Sequence, residues 1–238
     1  MRFFEEFQNK ETENNILDYW KGDYNSLKIA NSEVFYGISE DLKEGFAQIY
    51  IFDNCRVIKY RDINMENIAL KKLFEAETDK MEEILIKNFV IKEKTYISYL
   101  IPEKLKYEAV EDCEIRKLNK SDKESFFDFK KRVSKKDNAV SFVELDHPVI
   151  FGCFVDNKIV TSSSNLFFGD YIADIGVLTD SNYRKKGYGK ATVANLCEYN
   201  IKTGKINQHR CTNDNIASFK VAKSLGFNLN GICFEFHL

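Results

Sequence analysis

The chain has only two prolines, three histidines and one tryptophan in 238 residues, and its six cysteines stand apart at positions 55, 113, 153, 197, 211 and 233. There is no C-x-x-C pair and no His/Cys spacing of a metal-ligand kind, so reduced, buried thiols are expected and a metal is not. No apolar run approaches the ~18–20 residues of a membrane span. At the start, Glu5 and Glu6 stand where an export signal has its apolar stretch. Neither half has the surplus of Lys and Arg that a nucleic-acid surface needs. Through residue 110 there are 16 basic and 21 acidic side chains, and beyond it 19 and 16. These absences predict a soluble, cytoplasmic chain that takes neither nucleic acid nor membrane as partner.

Apolar residues make up 44% and charged residues 30%, enough to bury a real core. The length fits one large domain or two unequal ones. The charge balance changes sign along the chain, and glycine is lopsided: positions 22, 37 and 45 come early, and the other eight lie beyond residue 150. The charged, irregular stretch Pro102–Asp112 predicts a boundary, with a smaller α+β domain over 1–111 and a second domain over 112–238. In the first part, a helix over 4–20 shows apolar Phe4, Phe7, Ile16 and Trp20. A hairpin over 46–60 turns at Asp53-Asn54, helical spacing from Met65 to Phe89 breaks near Thr78-Asp79, and a strand covers Thr95–Leu100. No motif marks this half. Pockets favour domain junctions, so it is expected over the acceptor end of a cleft.

The second part reads as β-α-βββ-α-β-α-β, an α+β sheet flanked by helices. Glu114–Leu118 is a strand, and Ser121-x-x-Glu124 reads as a capping box opening a helix to about Ser134. Asp156-Asn157 and Gly169-Asp170 punctuate three hairpin-linked strands over 149–179. A helix from about Gly187 to Thr203 has Val193, Leu196, Cys197 and Ile201 on one face. Ile206–Thr212 is a strand, and Asn213–Leu225 a helix closed by Gly226. Phe227–Leu238 supplies the last strand or two.

Chemistry concentrates in Thr179-Asp-Ser-Asn-Tyr-Arg184-Lys-Lys-Gly187-Tyr-Gly189-Lys-Ala191. A strand ends, and a basic turn with two glycines opens a helix. The first N–H groups of a helix have no intrahelical acceptor, and the dipole is positive there. Glycines let a phosphate approach, and Arg184, Lys185, Lys186 and Lys190 add positive charge, so a diphosphate is the natural ligand. A P-loop is excluded because Ala191 follows Lys190 and no glycine stands five residues before Gly189. A Rossmann fingerprint fails because Thr192 occupies its third glycine position and the preceding strands are hairpin-linked. What remains is R-x-x-G-x-G, which a basic helix start could equally produce.

A second segment, Asn215-Ile-Ala-Ser218-Phe-Lys-Val-Ala222-Lys-Ser-Leu-Gly226-Phe227, separates these readings. Together the two segments resemble the signature of the GCN5-related N-acetyltransferases (GNAT), over roughly Asp112 to Leu238. The run Ala173–Arg184 further resembles the zwittermicin-resistance-like subgroup. The resemblance implies acetyl-CoA as acyl donor, no metal, and a small-molecule or peptide amine as acceptor. It implies a strand that parts from its neighbour at a bulge, with the backbone of Val177, Leu178 and Thr179 pairing with pantetheine and an N–H there stabilising the oxyanion. Backbone N–H groups from Lys185 through Lys186, Gly187, Tyr188 and Gly189 to Lys190 would hold the pyrophosphate, and Asn215, with Ser218 beside it, the pantetheine arm. Asn215 also reads as an ordinary helix cap.

Many members carry a tyrosine seven residues after this asparagine, as the acid for the departing thiolate. Here that position is Ala222, and a methyl group donates no proton. Asp174 is the carboxylate nearest the expected base position. Glu144, Asp146 and His147 form a polar cluster that either lines the acceptor side or is a solvated loop, and His209 and His237 read as structural. Transfer by direct amine attack is the expected activity. An acyl-CoA-binding module without turnover, and an interaction protein whose loop binds another anion, are the alternatives.

Overall fold

A computed structural model describes residues 10–29, 32–52, 55–61 and 68–238. The chain divides into two compact units: residues 1–97 with 211–214 and 229–238, and residues 98–210 with 215–228. The elements in chain order begin with α1 (Lys10–Lys21), β1 (Asn25–Ile29), β2 (Ser32–Ile38), β3 (Phe46–Ile51) and β4 (Cys55–Tyr60). Next come α2 (Ile68–Glu75), α3 (Met81–Asn88), β5 (Val90–Leu100), β6 (Glu114–Lys117), α4 (Lys123–Arg132) and α5 (Lys135–Ser141). The series closes with β7 (Val149–Val155), β8 (Lys158–Phe168), β9 (Ile172–Thr179), α6 (Tyr188–Lys202), β10 (Ile206–Thr212), α7 (Ile216–Leu225) and β11 (Phe227–His237). The architecture is α+β, a mixed and mostly antiparallel sheet flanked by helices. No described helix is long and apolar enough to cross a membrane.

In the first unit the strand order is β1-β2-β4-β3-β11. The β3–β4 hairpin forms as its alternation requires, while the Asp53-Asn54 turn lies outside the described residues. Ile16 and Trp20 of α1 are buried, with Trp20 stacked on Tyr50 at a ring separation of 4.5 Å; Phe4 and Phe7 lie outside the described residues. The two helices expected around Thr78 are α2 and α3, joined by a 3₁₀ turn over Thr78–Lys80.

The second unit has the order β10-β9-β8-β7-β6, with β10 parallel to β9 and the rest antiparallel. Asp156 and Asn157 both take left-handed φ, 49° and 62°, the turn geometry that matches the twist of β7 and β8. Period-2 alternation feeds two cores on opposite faces. Ile175, Phe151, Val193, Leu196, Ala222 and Leu225 pack on the α6/α7 side; Leu178, Ile150, Phe126 and Phe129 pack on the α4 side. Beneath the first core Asn200 accepts from Asn165 (2.6 Å) and donates to Asn207 (2.7 Å), tying α6 to β8 and β10.

The structure differs from the sequence-based reading at the division, the last strand and the capping box, and it adds β1, β2 and α5 and starts β5 at Val90 rather than Thr95. The division falls after Ile97 rather than at 111/112, because residues 98–107 pack with the second unit. Leu100, Leu105 and Tyr107 join the α6/α7 core, and Lys106 N–H donates to Leu225 O at 3.2 Å. The last strand, β11, passes to the first unit from Leu229, where it pairs with β3. The capping box also lies earlier than Ser121/Glu124. Asn119 Oδ1 accepts from Ser121 N–H (2.8 Å) and Asp122 accepts from Asn119 N–H (2.9 Å). Arg116 grips both oxygens of Asp122, at 2.7 and 2.9 Å, which fixes that carboxylate as the capping group.

Candidate active site

The β9–β10 ladder is short. Only Ile172, Ala173 and Asp174 pair with β10, and the last pair is Asp174–Gln208. On its other side β9 stays paired with β8 through Thr179, in unbroken register. The two parallel strands therefore part after Asp174, without a register shift in the β8–β9 ladder, and beyond that point the β10-facing edge of β9 has no strand partner, the Thr179 carbonyl accepting instead from Arg184 Nε at 3.4 Å. Such an edge is a template for an extended ligand.

Beyond Thr179 the chain turns tightly. Asp180, 1% exposed, accepts from Asn182 N–H (3.0 Å) and from Arg132 Nε (3.2 Å), which anchors the start of the loop to α4. Lys185 and Gly187 take left-handed φ, 64° and 88°. The first α6 bond runs from Ala191 N–H to Gly187 O, so the amides of Tyr188, Gly189 and Lys190 have no acceptor within the helix. Gly189 lies against the end of β9: a Cβ there would stand 3.1 Å from Thr179 Oγ1 and 4.0 Å from Val177 Cγ2. The sequence thus brings an open strand edge and a helix start with unbonded amides together.

The expected residues fall into distinct roles. Val177 is half-buried against the α6/α7 core, Leu178 is buried on the α4 side, and Thr179 Oγ1 accepts from Thr161 at 3.1 Å; the backbone groups of Val177 and Thr179 point away from β8, whereas those of Leu178 face it. Arg184 is held by Asp137 of α5 at 2.9 Å, and Lys186 lies over the Tyr183 ring. Tyr188 turns inward and donates to Asp112 at 2.7 Å; that carboxylate and burial push the phenol up to about 12. Asn215 caps α7, accepting from Ser218 N–H at 3.2 Å, which leaves its amide nitrogen as a donor.

On the α4/α5 side, Asp174 accepts from Gln208 (2.9 Å) on one oxygen and from Arg210 (2.9 and 3.1 Å) on the other. Tyr99 Oη donates in turn to Gln208 at 2.5 Å. His147 shares this face: its Nδ1 lies 2.8 Å from Ser164 Oγ, and Ser164 pairs in register with Gly176 of β9. Burial pushes the His147 imidazole below the usual histidine range, so it is neutral at pH 7. Glu144, from the same predicted cluster, is held by Lys130 at 2.9 Å, and Asp146 is exposed. Across the sheet, His209 Nε2 lies 2.8 Å from Ser218 Oγ. Sequence patterning missed Arg132, Asp137 and Ser164, because nothing local marks a partner that distant elements supply. Asp180 was not singled out either, although Asp-x-Asn is a local signal for an Asx turn. Among the described residues no group of three or more His, Cys, Asp or Glu could hold a metal ion.

A family model described as GNAT acetyltransferase matches residues 67–232, reaching well upstream of Asp112. An uncharacterized N-acetyltransferase of Bacillus subtilis strain 168, YnaD, is 31% identical over 104 residues, covering 41% of this chain and 55% of that protein. The chain thus spans about half the length of that curated relative. Among solved structures, an acetyltransferase of the GNAT family from Colwellia psychrerythraea aligns over 74% of this chain and 75% of its own, with 14% identity and a TM-score of 0.50. A GCN5-related N-acetyltransferase-like protein from Streptococcus suis aligns over 100% and 96%, with 14% identity and a TM-score of 0.47. With most of its length matched by that one model, the chain belongs to the GNAT acetyltransferase family.

Proposed function

We propose that this protein transfers an acetyl group from acetyl-CoA to a primary amine of a small molecule or peptide. The observation that carries the reading is the parting of β9 and β10 after Asp174, beside the unbonded amides that open α6. Pantetheine would pair with the free edge of β9 at Val177 to Thr179 as an added strand, and the pyrophosphate would lie on the backbone from Lys185 to Lys190, with Lys190 and the other loop cations adding charge. Asn215 offers its amide to the pantetheine arm. A backbone N–H of the β9 edge polarises the thioester carbonyl and stabilises the oxyanion. The Ala173–Arg184 run supports a place in the zwittermicin-resistance-like subgroup, which a test for protection against that antibiotic would check.

The acceptor amine must lose a proton. Asp174 is poorly placed to take it, since Gln208 and Arg210 occupy both its oxygens; we assign it the task of fixing those two side chains. His147 is the better base. Its Nδ1 is held by Ser164, its Nε2 has no hydrogen-bond partner among the described residues, and its depressed pKa keeps it unprotonated. Transfer should accordingly show an acid limb, where His147 takes a proton, displaced below the ordinary histidine value of about 6.5, and be flat above it. A rate profile without that acid limb, or one unchanged in His147→Gln, would remove His147 from the mechanism.

Ala222, 2% exposed, packs among Val193, Leu196, Leu225 and Phe227. Tyrosine there overfills the core instead of restoring an acid. Ala222→Tyr should lower stability by about 2 kcal/mol and raise the KM for acetyl-CoA without raising kcat. Thermal melting and steady-state kinetics check this, and a raised kcat would mean that the phenol reaches the sulfur. The activity itself is tested by mixing the whole protein with acetyl-CoA and a panel of amines and following free thiol. Thiol release that needs both partners is expected. Binding of acetyl-CoA without turnover on any amine would favour the non-catalytic reading.

A further inference from the structure

With alanine at 222, the sulfur that leaves during transfer lacks the usual phenol. We propose that the Ser218 hydroxyl supplies the hydrogen bond to the coenzyme A sulfur, oriented by His209, a positioning residue. The inference rests on the reading of β9, α6 and α7 as the coenzyme A site, and it names the group that handles the thiolate within it.

Ser218 stands one helical turn before Ala222, on the same face of α7 and within the first turn that Asn215 caps. His209 is the first β10 residue beyond the last pair with β9, so the pair lies where the strands part. Its ring is 5% exposed and packs edge-on to Phe227 at 6.0 Å. Nε2 lies 2.8 Å from Ser218 Oγ, while Nδ1 is buried with no hydrogen-bond partner. Two tautomers are available, and they differ in what they leave unpaired. A buried N–H without an acceptor is rarer, and so costlier, than a buried acceptor without a donor. The proton therefore resides on Nε2 and is donated to Ser218 Oγ. That leaves the serine's own proton to point away from the histidine, as a donor to whatever fills the space between the strands. Burial holds the imidazole near pKa 4, with Asp174 raising it and Arg210 lowering it, so this neutral arrangement persists throughout the neutral range.

In the reaction the amine nitrogen forms a bond to the thioester carbon. The tetrahedral intermediate then expels sulfur, and the C–S electron pair goes to the sulfur. Ser218 lends that thiolate a hydrogen bond and keeps its proton, and the proton released by the amine passes through His147 to solvent. The free thiolate takes its own proton from water.

The test uses coenzyme A itself as probe, bound to the whole protein, and reads the pKa of its thiol from the ultraviolet absorbance of the thiolate. Ser218 should hold the bound thiol below its value in free coenzyme A. Ser218→Ala should raise it by about one pH unit while changing affinity less than threefold, the scale of one charge-assisted hydrogen bond. Ser218→Thr keeps the hydroxyl and His209→Gln keeps a donor at the Nε2 position, and both should retain most of the depression. Ser218→Cys preserves the packing with a weaker donor and serves if the alanine variant fails to fold. An unchanged thiol pKa in Ser218→Ala with coenzyme A still bound would overturn the inference, as would loss of affinity alone. Failure of the unaltered protein to bind coenzyme A would instead overturn the functional reading beneath it.

Discussion

Replacing Gly187 by valine is expected to weaken coenzyme A binding at least tenfold, a loss of about 1.4 kcal/mol. Gly187 has φ 88°, a region that a β-branched residue adopts only under strain, and it accepts the first α6 hydrogen bond. Valine must either distort the turn that aims the Tyr188, Gly189 and Lys190 amides or put its branches where a phosphate approaches. Gly189→Val should produce a similar loss by a different route. Its Cβ would press on Thr179 Oγ1, so the branches would push the start of α6 away from the open end of β9. Titration calorimetry reads both. Affinity for the unaltered protein should also fall with added salt, because charge-assisted contacts contribute. Unchanged affinity in both glycine variants would remove the loop from the site.

The second large effect is acid lability. His209 titrates near 4 in the fold, held there by burial, against the ordinary histidine value of 6.5. A depressed histidine pKa means that the unfolded chain binds the extra proton first, so the stabilisation is complete above pH 6.5 and is lost as pH falls from 6.5 towards 4. Two and a half units correspond to about 3 kcal/mol, a large share of a typical domain's stability. His147 is depressed in the same direction, by burial, and should add to the loss as pH falls below the ordinary histidine value. His209→Gln, which cannot titrate, should keep most of its stability down to pH 4.5. Urea melts of both proteins at pH 7 and pH 4.5 check this, and parallel losses would place the acid-sensitive group elsewhere.

What the residues announced and what they hid have physical causes. The β7–β8–β9 meander was legible because Asp156-Asn157 and Gly169-Asp170 are local turn signals, and such signals survive in any context. The two motif segments were legible for the same reason: each is contiguous, and glycine and asparagine there do backbone work that few other residues can do. Helix α5 was not visible, since its seven residues contain only Ala139 and Val140 as apolar positions and it forms on the Ser134 cap. The passage of β11 into the first unit depends on pairing with β3, nearly two hundred residues earlier, which no window of sequence displays. Side-chain commitments were hidden in the same way. Nothing in the sequence shows that Asp137 stands beside Arg184, or that Gln208 and Arg210 bond the oxygens of Asp174. His209, alone in a strand, gives no sign of Ser218.

Amide hydrogen exchange with and without coenzyme A tests the central claim, that the open edge of β9 and the start of α6 together form the cofactor site. An extended pantetheine on the strand edge and a pyrophosphate on the helix start would each supply acceptors to amides that otherwise exchange readily. Slowed exchange is therefore expected in two segments at once, residues 175–179 and 185–190, with a smaller change at 215–218. Coenzyme A binding that leaves both segments unchanged, or that protects residues on the α4/α5 face instead, would contradict the account.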